Sequence, residues 1–159
     1  SRICELILDQ GHHVELFTTD ASDDVALAAL ADRLRRTVPE RGDQWSIAGA
    51  RTVDDLMHLY GRVHAVVASR LHGALLAHVA HRPVLALAHE RKVRALMTDV
   101  GHARFCFDLG QVDPVELDRR LAELIEDRTV LAAEVALTSD RLRDRVERQF
   151  DVVFGPART

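Results

Sequence analysis

His64-Ala65-Val66-Val67-Ala68-Ser69-Arg70-Leu71-His72-Gly73 is the stretch on which the fold turns. Its first half is an unbroken apolar run of strand length. Polar residues do not alternate into it, so both faces of that strand need cover, as they do inside a parallel sheet. Its second half opens a segment of small residues and leucine, Gly73 to His81, that reads as a helix. Arg82-Pro83 stops that helix. Val84-Leu85-Ala86-Leu87-Ala88 then repeats the pattern of a strand buried on both sides. Strand, helix and strand at this spacing make a βαβ unit.

The alternation extends both ways. Toward the N-terminus, His13–Thr19 is β-prone. A helix is expected from about 23 to 37, with Val25, Leu27, Leu30 and Leu34 at helical intervals. Trp45–Ala48 is a short strand, and Thr52-Val53-Asp54-Asp55 starts a capped helix that runs to Gly61. Toward the C-terminus, a helix over 91–100 precedes a strand at Phe105–Leu109. Asp113-Pro114 opens another helix. A long final helix is expected over about 128–150, with Leu131, Val135, Leu142, Val146 and Phe150 on one side. Residues 155–159 are expected to fray. This order predicts one α/β domain over 1–159, a Rossmann-like three-layer sandwich around a parallel sheet. Residues 2–10 read as a helix ended by Gly11. Because the sequence opens so abruptly inside that helix, we expect more protein ahead of Ser1.

Composition narrows the function classes. The 159 residues are 47% hydrophobic and 29% charged, which excludes disorder. A formal net charge of −4 speaks against a nucleic-acid module. No apolar run approaches the roughly 18 residues of a membrane span, and Ser1–Gln10 carry charge, unlike a secretory leader. Cys4 and Cys106 stand far apart and form no metal-ligand spacing. They read as small buried hydrophobes in a reducing, cytoplasmic compartment. Arginine outnumbers lysine twenty to one, Lys92 being the single lysine.

In sheets of this kind ligands bind beyond the carboxyl ends of the strands. Ser69-Arg70-Leu71-His72-Gly73 lies at such an end. There a helix N-terminus offers unpaired amides to an anion. Arg70 adds a planar fork for phosphate or carboxylate, His72 adds a proton donor or acceptor, and Gly73 lets backbone approach a ligand. The structural alternative is that Arg70 pairs with a nearby carboxylate and His72 caps the helix. His89-Glu90-Arg91-Lys92 follows the next strand, and Lys92 could bind phosphate as a point charge or be one more solvated charge. His78 and His81 stand three apart on a helix, but no third ligand lies near them, so no metal site is expected. His12 and His13 read as a solvated pair, and His58, His64 and His102 have no company in sequence. Asp20, Ser22 and Asp23 could line the same cleft but read better as helix caps.

The segment Ala65–Ala77, followed by Arg82-Pro83-Val84-Leu85-Ala86-Leu87 and Lys92-Val93, resembles the polysaccharide pyruvyl transferase family. The resemblance rests on a strand, the run Ser-Arg-Leu-His, a small-residue helix, a proline-led strand and a following lysine. We read it as continuing through the helix after Asp113 and the final helix. It implies transfer of the enolpyruvyl unit of phosphoenolpyruvate to sugar hydroxyls, as a ketal on a surface polysaccharide or glycolipid, without a cofactor. It implies the C-terminal half of a fold like the GT-B glycosyltransferases, with the N-terminal half of the same enzyme as partner. By resemblance His72 is the general acid/base, Arg70 and Lys92 contact the donor, and Ser69 and Gly73 belong to the donor site. His89 stands where the family often has tyrosine. Two other readings remain open: half of a nucleotide-sugar glycosyltransferase, and a non-catalytic Rossmann-like binding module.

Overall fold

β4 (Val84–Ala88) is the centre of the molecule, and its burial explains the layering. Val84, Leu85, Ala86 and Ala88 have no exposed surface. Successive residues of a strand point to opposite faces, so both faces of this strand are covered. β4 pairs in parallel with β3 (Val66–Ala68) on one side and with β5 (Cys106–Asp108) on the other. The computed structural model describes residues 1–155.

The other elements come in the expected order. α1 (Arg2–Asp9) leads into β1 (Val14–Leu16), followed by α2 (Asp24–Thr37), β2 (Trp45–Ile47) and α3 (Val53–Arg62). After β3 comes α4 (Leu71–Val79), and after β4 comes α5 (Arg91–Asp99). α6 (Pro114–Glu126) and α7 (Arg128–Phe154) close the chain. This is the Rossmann-like α/β sandwich that the alternation predicts. The tail expected to fray, 155–159, lies outside the described residues except for Gly155.

The strands differ from expectation in one respect: they form two sheets. β1 pairs in parallel with β2 through Val14↔Trp45 and Leu16↔Ile47, apart from the three-stranded sheet β3-β4-β5. No backbone ladder joins β1 to β3, and the residues at their carboxyl ends line a common crevice between the two sheets. Each sheet keeps its own core. Leu8, Leu16, Leu34 and Trp45 pack on the small sheet. Tyr60, Leu85, Met97, Phe105 and Leu121 pack on the large one.

Three helices stop in the same way. Gly11, His81 and Gly101 follow α1, α4 and α5 with φ of 79°, 57° and 79°. In each case the next amide, of His12, Arg82 or His102, reaches back five residues, to the carbonyl of Ile7, Ala77 or Met97. This is the left-handed helix stop that glycine favours; at the end of α4 a histidine fills it.

α7 corrects one expectation. Its stripe Leu131, Val135, Leu142, Val146 and Phe150 is covered only at the start. Leu131 and Val135 are buried, but Val146 and Phe150 are exposed. The helix has 27 residues, about 40 Å, and its outer half extends past the surface it packs on.

Candidate active site

α4 starts at Leu71, two residues earlier than expected, which puts Arg70 at its N-cap and His72 and Gly73 in its first turn. Arg70 has extended backbone, and no side chain caps the helix. The first amides of α4 are therefore open to a ligand. These residues stand at the carboxyl end of β3. The end of β1 faces them across the crevice.

The crevice is a cleft of about 250 Å³. Phe17, Thr18 and Thr19 line it from the β1 side, and Val67, Ala68, Ser69, Arg70 and Gly73 from the β3 side. α2 closes the third side with Ala26, Leu27 and Leu30. The floor is apolar and the mouth is polar. Gly73 is buried in the wall. A Cβ there would meet the Ala68 Cβ at 3.5 Å and the Thr19 methyl at 3.8 Å, ordinary contacts, so the helix packs near the strand without this position demanding glycine. The Tyr60 hydroxyl donates to the Gly73 carbonyl at 3.1 Å and fixes the same turn from beneath. Burial pushes the Tyr60 pKa up to about 12, so the hydroxyl stays a donor. Its ring meets Phe17 edge-on at 5.6 Å, which ties α3 to the end of β1.

Arg70 is engaged. Its Nε donates to Asp23 Oδ2 at 2.9 Å and its Nη2 to Asp23 Oδ1 at 2.5 Å. This is the paired alternative that the sequence left open, in bidentate form. It corrects the reading of Asp23 as a helix cap. Asp23 precedes α2 but makes no capping hydrogen bond. The local turn falls instead to Asp20, which accepts from the Ser22 amide at 2.9 Å. Asp24 accepts from the Thr18 hydroxyl and from Arg51. The guanidinium holds the Asp23 carboxyl below the usual carboxylate range.

His89 and Glu90 follow β4 and pair with each other at 3.2 Å. The loops after β1 and β3 form the cleft, and the loop after β4 leaves the same carboxyl edge of the sheet as the loop after β3. Lys92 stands in the first turn of α5, at the carboxyl end of β4. His72 and Lys92 are exposed, and neither belongs to the cleft wall that Ser69, Arg70 and Gly73 help to form. Neither joins an ion pair among the described residues.

The other histidines divide. His12 and His13 are exposed, as expected. His102, read as solitary, is not. Its ring is buried against His78, centroids 6.3 Å apart, and its Nε2 lies 3.3 Å from Glu134 Oε2 on α7. No group of three or more ligating side chains suited to a metal occurs among the described residues. Burial raises the thiol pKa of both Cys4 and Cys106. No helix among the described residues is long and apolar enough to cross a membrane.

The site is thus that of an α/β domain in which uncapped helix amides and an arginine paired with Asp23 stand at the mouth of a cleft. The family model for polysaccharide pyruvyl transferases matches residues 1–91, more than half of the chain, and the chain belongs to that transferase family. The match takes in Ser69, Arg70, His72, Gly73 and His89 and ends one residue before Lys92. α6 and most of α5, with α7, lie past it. No curated protein and no solved structure matches the chain.

Proposed function

We propose that this chain supplies the donor side of a reaction that moves the enolpyruvyl unit of phosphoenolpyruvate onto a sugar of a polysaccharide or glycolipid, as a cyclic ketal. The observation that carries the reading is Arg70, a guanidinium fork at the mouth of the cleft and the head of α4. Phosphoenolpyruvate presents a phosphate and a carboxylate. One anion would take the Arg70 fork and the α4 amides, with the Ser69 hydroxyl beside them. The other would take Lys92.

His72 is the proton donor in this scheme. Imidazole is the side chain whose ordinary titration range suits both giving and taking a proton near neutrality. The methylene carbon accepts a proton and becomes a methyl group. The adjacent carbon becomes cationic, and a sugar hydroxyl oxygen attacks it. The bond to the phosphate oxygen then breaks, and a second hydroxyl closes the ketal. The two hydroxyls release two protons; one balances the methyl group and the other leaves with phosphate. The Tyr60 hydroxyl, hydrogen-bonded to the Gly73 carbonyl, holds the turn that carries His72. The sugar is bound mostly by the other half of such an enzyme, so residues 1–159 alone bind the donor but do not turn over.

The experiment follows phosphate release and ketal product from phosphoenolpyruvate and a glycoside acceptor, using the intact enzyme and its His72→Ala variant. Loss of both products in the variant supports the acid role. Unchanged phosphate release removes it.

A further inference from the structure

The Arg70 fork is occupied by a residue of the chain itself. Asp23 meets it with two oxygens at 2.9 and 2.5 Å, in the two-bond manner in which a ligand carboxylate or phosphate would meet it. The partners come from different βα loops, 47 positions apart, and sit on opposite lips of the cleft. Asp23 ends a short helical turn, 21–23, that runs straight into α2 and is capped by Asp20, so its carboxylate has no capping duty and is free to cross the cleft. The three neighbouring acids have separate duties: Asp20 makes the turn, Asp24 holds Thr18 and Arg51, and Asp23 alone crosses the cleft. Its side chain keeps about a quarter of its surface exposed, 27%, and that of Arg70 keeps 41%. Neither is locked in by packing, so the pair can part.

From this we infer that Asp23 is a displaceable internal competitor for Arg70, which an incoming anion must replace and which thereby sets affinity and selectivity at the mouth of the cleft. The inference rests on the reading of Arg70 as the donor contact. While Asp23 holds the fork, the arginine charge is neutralised and the cleft attracts anions weakly. An anion that accepts both N–H groups, such as a phosphate or a carboxylate, can exchange with Asp23. A spherical anion such as chloride replaces only part of the interaction. Once displaced, the Asp23 carboxylate is repelled by the bound anion and held out toward water. The low-lying titration of Asp23 beside Arg70 keeps the latch closed across neutral pH.

The test is calorimetric titration of the full chain with inorganic phosphate and with phosphoenolpyruvate. The proteins are the wild type, Asp23→Asn, Asp23→Ser, Arg70→Ala and the double variant Asp23→Asn/Arg70→Ala. Circular dichroism confirms that each is folded. We expect Asp23→Asn and Asp23→Ser each to tighten phosphate binding at least about tenfold, with little gain for chloride. In the Arg70→Ala background the gain should vanish. Equal or weaker binding by both Asp23 variants, with binding abolished in Arg70→Ala, overturns the latch alone. Phosphate affinity unchanged in Arg70→Ala overturns the donor reading of Arg70, and the latch with it.

Discussion

Helix α4 carries a histidine near each end, and the two face opposite surroundings. His72 lies in the first turn and is exposed. His78 lies in the last turn and is 3% exposed, with neither ring nitrogen partnered. The same side chain on the same helix meets water and charge at one end and a packed core at the other. Burial, with some help from the His102 ring, pushes the His78 pKa down to about 4. Such a group is neutral at working pH and cannot exchange protons with a substrate. The difference lies in what covers each end of the helix: the end at the carboxyl edge of the sheet is uncapped and open to solvent, and the other end is closed against α7, whose Ser139 donates to the His78 carbonyl at 3.2 Å.

The largest effect is expected at the open end. If His72 is the general acid, His72→Ala lowers turnover of the intact enzyme by about 10²–10⁴-fold. Being exposed, the residue should barely affect stability, with a change within about 0.5 kcal/mol by urea denaturation. A comparable loss of stability would break the contrast between the two ends.

The closed end makes the opposite prediction, for stability and not for turnover. The titratable group facing His78 is His102 after α5, with Glu134 beside that ring. His78 has a folded pKa of about 4, against about 6.5 when unfolded. Between those values the unfolded chain binds more protons, so stability is full above pH 6.5 and is lost as pH falls toward 4. Up to about 3 kcal/mol is at stake for a difference of this size. Urea denaturation at a series of pH values should show this slope in the wild type and a flatter one in His78→Leu. An unchanged slope in that variant would put the acid sensitivity elsewhere.

Two smaller changes sharpen the comparison. Tyr60→Phe removes the hydroxyl that holds the Gly73 carbonyl and should cost about 1 kcal/mol, while loosening the turn that carries His72. His81→Gly should add about 1 kcal/mol, because a residue with a Cβ is strained in the left-handed region and glycine is not. Gly11 and Gly101, at the matching ends of α1 and α5, already have that advantage. Denaturation midpoints at constant slope measure both changes.

The ends of α4 were not equally legible in the sequence. Strand, turn and helix at the open end could be read because each has a local signature: an apolar run, then Ser69–Gly73, then small residues at helical spacing. The same is true of Val84–Ala88 and of the Thr52–Asp55 capping box, in which Thr52 accepts from the Asp55 amide at 3.1 Å. What could not be read is which side chains meet across the fold. Asp20-Ala21-Ser22-Asp23-Asp24 offers several capping oxygens, and no local rule tells which one reaches Arg70. The company of His102 is equally silent, since His78 lies well before it and Glu134 well after it. The break between β1 and β3 is a tertiary event with no residue pattern of its own. The apolar stripe of α7 is plain in sequence, but whether its outer half is covered depends on neighbours that a periodicity does not name.

The most direct measurement is an amide chemical-shift map of the full chain titrated with phosphoenolpyruvate. The account predicts shifts concentrated at Thr18–Asp23 and Ser69–Gly73, with a second group at His89–Lys92 and none at His78–Arg82. Shifts centred on the buried end of α4, or no response at the Ser69–Gly73 turn at saturating ligand, would contradict it.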